Sequence, residues 1–167
     1  MTDTNDTNDT NDISKVAEVL EKSRIGILTT QSHGQHLVSR PLAIVDRDFD
    51  GKVYFFTQDP SPKVDDIKAH AQVNVAVESG KGYLSLSGKA TVTHDRGLVD
   101  QMWSTGAEAW FDQGRDDPTV ALIEVDVESA EYWVSNEPKA VTYLKYAKAA
   151  LTGGHPQHVA DTGTVQL

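Results

Sequence analysis

The 167-residue sequence predicts a mainly β domain, an antiparallel barrel with helices at its periphery. Three observations carry the prediction. Runs with strand-type alternation fill the middle of the chain, helical spacing occupies the ends and a connection, and the regular βα alternation of a parallel sheet is missing.

The elements follow in order. Residues 1–12 repeat the triplet Thr-Asn-Asp with no apolar residue after Met1, so nothing offsets the entropy of ordering, and a disordered tail is expected. Ile13, Val16, Val19 and Leu20 recur at helical spacing behind Asp12, placed as N-cap. Strand runs at Ile25–Thr30, Leu37–Val45 and Val53–Thr57, separated by turns containing Gly34 and Gly51, read as a three-stranded antiparallel meander. Asp59-Pro60-Ser61-Pro62 ends the third strand and starts a short helix to about His70, with Ser61 as N-cap and Pro62 at the first helical position.

Gln72–Glu78 then alternates, with Val73, Val75 and Val77 on one face. Tyr83–Thr93 is a longer strand with Leu84, Leu86, Gly88, Ala90 and Val92 on one face. Arg96–Trp103 has helical spacing, and a loop rich in Gly, Asp and aromatics runs on to Pro118. Ala121–Val127 and Glu131–Val134 read as closing strands. Pro138 opens a last helix that Gly153-Gly154 ends. The domain is expected to span residues 13–151, with 152–167 a flexible C-terminal tail.

The composition narrows the function. With no cysteine, disulfides and thiol-based metal or redox chemistry are excluded. No run approaches the roughly 18 apolar residues of a membrane span, and the N-terminus lacks the charge pattern of a signal peptide, so a cytoplasmic protein is expected. A net charge of −10 with dispersed Lys and Arg repels nucleic acid and anionic lipid, yet permits a local phosphate site.

Two segments carry candidate chemistry. In strand geometry Arg40 shares the apolar face with Val38, Leu42 and Ile44, so its charge needs a carboxylate or an anionic ligand. Pro41 cannot donate to a ladder, which marks an edge or opening there. In the second segment, Thr57 ends a strand and Ser61 starts a helix whose free N–H groups and dipole favour an anion. Lys63 in the first turn adds a full charge that an anion would neutralise. The alternatives are an arginine paired with a nearby aspartate and a purely structural Ser-Pro helix start.

Together these segments sit in an ordered series: SRPLAI (39–44), VYFFTQDPSPKVDDI (53–67), VNVAVE (73–78), GYLSLSGKATV (82–92), AWF (109–111), GRDDPTVALIEV (114–125) and AEYW (130–133). From about Lys15 to Val134 the chain resembles the pyridoxamine-phosphate-oxidase-like flavoproteins, in particular the general stress protein 26 branch. The resemblance implies a six-stranded antiparallel split β-barrel, dimeric, with two FMN sites across the interface. It implies that Arg40 approaches the phosphate and ribityl chain, that the backbone of Pro41 and Leu42 runs beside the isoalloxazine ring, and that Thr57, Ser61 and Lys63 take the phosphate. Phe56, Tyr83 and Ser85 join the expected cofactor-binding set, with Trp110 coming from the partner subunit.

Departures from the true pyridoxamine phosphate oxidases argue against oxidation of a B6 vitamer. Ala43-Ile44-Val45 stands where a basic residue usually follows the strand arginine, and Pro62 stands where a second phosphate arginine would be. The C-terminal arginine–histidine cluster is missing. The expected function is therefore an FMN-dependent oxidoreductase linked to stress response. The alternatives are a non-catalytic flavin carrier, or a split barrel holding deazaflavin or haem. His33/His36 and His155/His158 lack a helical face with a third ligand, so no metal site is expected. Asp112, Asp116 and Asp117 lack calcium-loop spacing. Trp103 and Trp133 are expected in packing, and the partner is a second copy of the chain, with nucleic acid and membrane excluded.

Overall fold

A computed structural model describes residues 4–134 and 160–167 of the protein. Its elements are helix α1 (Thr4–Glu21), strands β1 (Ile25–Gln31), β2 (Leu37–Ala43) and β3 (Lys52–Gln58), helix α2 (Pro62–Ala69), and strands β4 (Gln72–Ser79) and β5 (Gly82–Thr93). Helices α3 (Arg96–Met102) and α4 (Thr105–Glu108) follow, then a short 3₁₀ turn at Gly114–Asp116 and strands β6 (Val120–Val134) and β7 (Asp161–Gln166). Among the described residues no helix is long and apolar enough to cross a membrane. The helix expected from Pro138 lies outside the described residues.

The strands form one antiparallel sheet in the order β2-β1-β4-β5-β6-β3, with β7 added beside β6. The sheet curls so that its ends approach. Ile44, just past β2, bridges to Phe55 of β3, and the Val45 N–H donates to the Tyr54 carbonyl at 2.9 Å. That short join is the ladder pairing described along the β2–β3 seam, and the seam is the split of a mainly β split barrel.

Alternation decides what fills the barrel. Leu28, Phe55, Val75, Leu86, Ile123 and Val125 are fully buried and form its core with Val16 and Val19 of α1, which covers one end. A second apolar cluster (Tyr54, Val99, Met102, Phe111, Val120, Leu122) lies on the other side of β3 and β6, under α3 and the following loop. Both faces of β3 are thus buried, so it needs a fully apolar site.

That requirement explains the first correction. The expected meander does not form, because β3 leaves β2 and pairs along its whole length with β6, Lys52 opposite Asp126 through Gln58 opposite Val120. The two closing strands are one 15-residue strand, since β6 bulges at Glu128, opposite Ser87 and Gly88 of β5, without breaking the ladder. Gly88 suits this point, because a Cβ there would collide with the Asp126 carbonyl.

The termini differ as well. Helix α1 starts at Thr4 inside the supposed tail, and Asp12 lies within the helix rather than capping it. Once the buried stripe has nucleated a helix, adding turns at its end costs little. The Tyr132 hydroxyl also donates to the Asp12 carboxylate at 2.6 Å, and Lys15 bonds Asp161 at 2.7 Å. That polar cluster ties α1 to β7, the strand found within the expected flexible tail. Among the described residues the sheet therefore has seven strands rather than six. The apolar faces of Val73–Val77 and Leu84–Ala90 are buried inside the barrel. Exposed apolar side chains lie instead on the opposite sheet face. Ile27 stands there between Pro41 and Ala76, and Tyr83 is paired with Trp133.

Candidate functional site

Register places Arg40 opposite Leu28 on the inward face of the β1–β2 pair, close to the rim. There the guanidinium meets polar groups. Its Nη1 donates to Thr30 Oγ1 at 2.7 Å and to the Leu28 carbonyl at 3.4 Å. Its Nη2 stands 3.7 Å from Asp66 Oδ2. The Thr30 hydroxyl in turn donates to Asp66 at 2.9 Å. Arginine thus does meet an aspartate, on α2, while remaining within the candidate site.

The end of β3 and the start of α2 supply the rest. Thr57 shares the inward side with Phe55 and is buried. Lys63, in the first turn of α2, donates to Thr57 Oγ1 and Ser61 Oγ, each at 3.2 Å. Ser61 occupies the N-cap position in extended backbone, but its hydroxyl makes no cap hydrogen bond. It is turned to Lys63, which corrects the expected side-chain cap. The preceding turn is held by Asp59, whose N–H donates to the Thr119 carbonyl at 2.9 Å, and whose carboxylate takes Lys68 and His94, each at 3.1 Å.

The electrostatics are unusual for a helix start. Burial, and then the nearby charge of Arg40, hold the Lys63 ammonium below its ordinary range. Burial also lowers Arg40, partly offset by Asp66. Two cations therefore converge, the one carboxylate, Asp66, lies beside Arg40, and Lys63 is hydrogen-bonded only to neutral hydroxyls among the described residues. A tetrahedral oxyanion has the charge and acceptor capacity this cradle lacks. The residues present therefore fit a phosphate.

A stability consequence follows for the ligand-free protein. The folded-state value of Lys63 lies below the unfolded one, so the native state holds this proton less firmly. Stability then rises with pH between the folded value and the ordinary 10.5. Lys63→Gln removes the repulsion and keeps a donor. It is expected to stabilise the ligand-free protein at neutral pH by about 0.5 kcal/mol after solvent screening. A denaturant midpoint that falls in this variant would contradict the assignment.

The remaining expected residues separate into groups. Leu42 packs against the barrel core. Pro41 lies on the outer face opposite Ile27, and the same outer row continues through Ala76 to Ser85. Ser85 accepts from Asn74 Nδ2 at 2.9 Å, and exposed Tyr83 donates weakly to Glu78 at 3.4 Å. Phe56 belongs to the second apolar cluster, edge-on to Trp103 with ring centroids 5.3 Å apart. Trp110 is 73% exposed on the loop after α4.

Sequence reasoning missed Thr30 and Asp66, although each left a signal. Thr30 is a polar residue at the third inward position after Gly26 and Leu28. Asp66 lies three residues after Lys63 and so on the same side of α2.

Residues 11–157 match the protein family described as pyridoxamine 5'-phosphate oxidase like. Protein bli-3 of Neurospora crassa is 29% identical over 146 residues, which cover 80% of this chain and 70% of that protein. General stress protein 26 of Bacillus subtilis is 28% identical over 95 residues, covering 54% of this chain and 67% of that protein. Among solved structures, a candidate general stress protein 26 from Jannaschia sp. CCS1 aligns with TM-score 0.73 at 25% identity, covering 95% of this chain and 99% of the other. A general stress FMN/FAD binding protein from Xanthomonas citri aligns with TM-score 0.65 at 26% identity, over 74% of this chain and 88% of its own.

Proposed function

The chain belongs to the pyridoxamine 5'-phosphate oxidase-like family, and from that premise we propose that it binds FMN as a homodimer and works as a flavin-dependent oxidoreductase in the stress response. The observation that carries the proposal is the cradle of Arg40, Thr57, Ser61 and Lys63, in which a part-buried lysine has hydroxyl partners and, among the described residues, no carboxylate of its own. The flavin-binding relative from Xanthomonas citri supports a flavin as the owner of the phosphate.

In this reading Arg40 and Lys63 neutralise the phosphate, while Thr57 and Ser61 orient it by hydrogen bonds. The bound flavin supplies one- and two-electron redox chemistry at its ring. Leu42 and Pro41 continue β2 away from the cradle, and the outer row through Ser85 ends near exposed Tyr83. The protein's part is to bind, orient and shield. Trp110, exposed in one subunit, is available to the partner's site.

The outer sheet face supports the homodimer. Ile25, Ile27, Leu37, Tyr83 and Trp133 are exposed there, and clustered apolar exposure marks an association surface. Native mass spectrometry of the protein incubated with FMN is expected to show two chains carrying two flavins. A flavin-loaded monomer would overturn the interface, and a dimer that retains no flavin would overturn the cofactor. Reduction of the bound flavin by NAD(P)H distinguishes an oxidoreductase from a flavin carrier, whose flavin stays oxidised.

A further inference from the structure

The cradle depends on Arg40, and Arg40 is itself held by two buried residues. We propose that Thr30 and Asp66 are positioning residues of the phosphate site, pinning one end of the Arg40 guanidinium so that its opposite edge meets the phosphate. The inference rests on the reading of the cradle as a phosphate site.

The hydrogen-bond polarity admits one arrangement. A guanidinium only donates and a carboxylate only accepts, whereas a hydroxyl does both. Thr30 Oγ1 lies 2.7 Å from Arg40 Nη1 and 2.9 Å from Asp66 Oδ2. Its proton must therefore point at Asp66 and a lone pair at Arg40, and the chain runs from Arg40 through Thr30 to Asp66. The second Nη1 hydrogen is directed at the Leu28 carbonyl, 3.4 Å away. Nη1 is thus occupied twice. Nη2, at 3.7 Å from Asp66, is beyond hydrogen-bond distance, and Nε has no hydrogen bond among the described residues. The Nε–Nη2 edge, whose fork matches two phosphate oxygens, is the part left for a ligand.

Burial makes the anchor rigid. Thr30 is 0% exposed and Asp66 7%, so neither hydroxyl nor carboxylate has a ready water alternative. Asp66 also offsets one of the two converging cations, leaving one net positive charge from Arg40, Lys63 and Asp66 together. A pair that served the fold alone would affect every ligand of the barrel equally. A pair that aims Arg40 affects the phosphate end only.

The test compares FMN with riboflavin, which has the same ring and ribityl chain without the phosphate. Thr30→Val removes the hydroxyl at nearly constant volume. It is expected to weaken FMN binding by about 10-fold or more while leaving riboflavin affinity unchanged. Thr30→Ser is expected to restore FMN affinity to within about 3-fold, because it restores the same relay. Asp66→Asn keeps an oxygen for the Thr30 proton and removes a negative charge, so FMN affinity is expected to rise and riboflavin affinity to stay. An unchanged FMN affinity in Thr30→Val, or equal losses for both flavins in these variants, overturns the proposal. Calorimetry with inorganic phosphate separates the two levels of the argument. Thr30-dependent phosphate binding by a protein that binds no flavin would sink the flavin reading and leave the positioning role standing. Strong FMN binding that is indifferent to Thr30 would do the reverse.

Discussion

Replacing Arg40 and Lys63 together by alanine is expected to weaken FMN binding by at least about 100-fold, with riboflavin affinity nearly unchanged. In the proposed site each side chain would supply a charge-assisted contact to the phosphate, worth about 1.5–3 kcal/mol when both partners are partly buried. The two act on one group and repel each other in the empty site, so their losses will not add simply. The fold should survive. Lys63 is a source of repulsion in the ligand-free protein, whereas losing Arg40 leaves the buried Asp66 with the Thr30 hydrogen bond alone, so some loss of stability accompanies the loss of affinity. Thermal melts of the flavin-free double variant, set beside fluorescence titration with FMN, separate lost affinity from lost structure. A double variant that binds FMN as wild type does would remove the phosphate from this cradle.

Phe55→Ala is expected to destabilise the protein by about 3–5 kcal/mol, the range for deleting a buried aromatic side chain. Phe55 is fully buried, faces Ile123 across the β3–β6 ladder and bridges to Ile44 at the seam. Its ring also approaches Gly26, where the absence of a side chain makes room for it. The cavity would therefore open where, among the described residues, the two ends of the sheet are joined. Thr57 lies two residues further along the same strand, so the phosphate cradle should loosen in the same variant. Guanidinium unfolding followed by circular dichroism measures the loss. A change below about 1 kcal/mol would mean that neighbouring side chains collapse into the space.

Much of this architecture was legible from periodicity. Val73, Val75, Val77, Leu84 and Leu86 alternate cleanly because one face of β4 and β5 is buried, and an alternating pattern reports such burial directly. The partner of β3 was not legible. Val53–Thr57 is apolar on both faces, and a strand with two buried faces carries no alternation to say which neighbour it joins. Turn chemistry at Asp50-Gly51 favours the adjacent strand, and burial between two apolar clusters overrode it. The strand at Asp161–Gln166 escaped notice because one buried side chain, Val165, anchors it in an otherwise polar stretch. Its order comes from pairing with β6 and from the bond between Asp161 and Lys15, both remote in sequence.

The candidate site was legible where chemistry was out of place. An arginine on an apolar strand face and a lysine in the first turn of a helix each demand an anion, and the structure brings both to one rim. The polar anchor was not, since a buried threonine or an aspartate beside an isoleucine looks ordinary until β1 and α2 are packed together. Tyr83 and Ser85 were placed by resemblance alone. They stand on the outer sheet face with Pro41, apart from the inward-facing cradle.

The ratio of FMN to riboflavin affinity in the wild-type protein, from parallel fluorescence titrations at fixed ionic strength, tests the central claim most directly. A phosphate held by Arg40, Thr57, Ser61 and Lys63 predicts a ratio of about 100 or more. It also predicts a decline of that ratio as pH rises through the lowered Lys63 value. A ratio near one, unaffected by pH, would mean that the cradle holds no flavin phosphate.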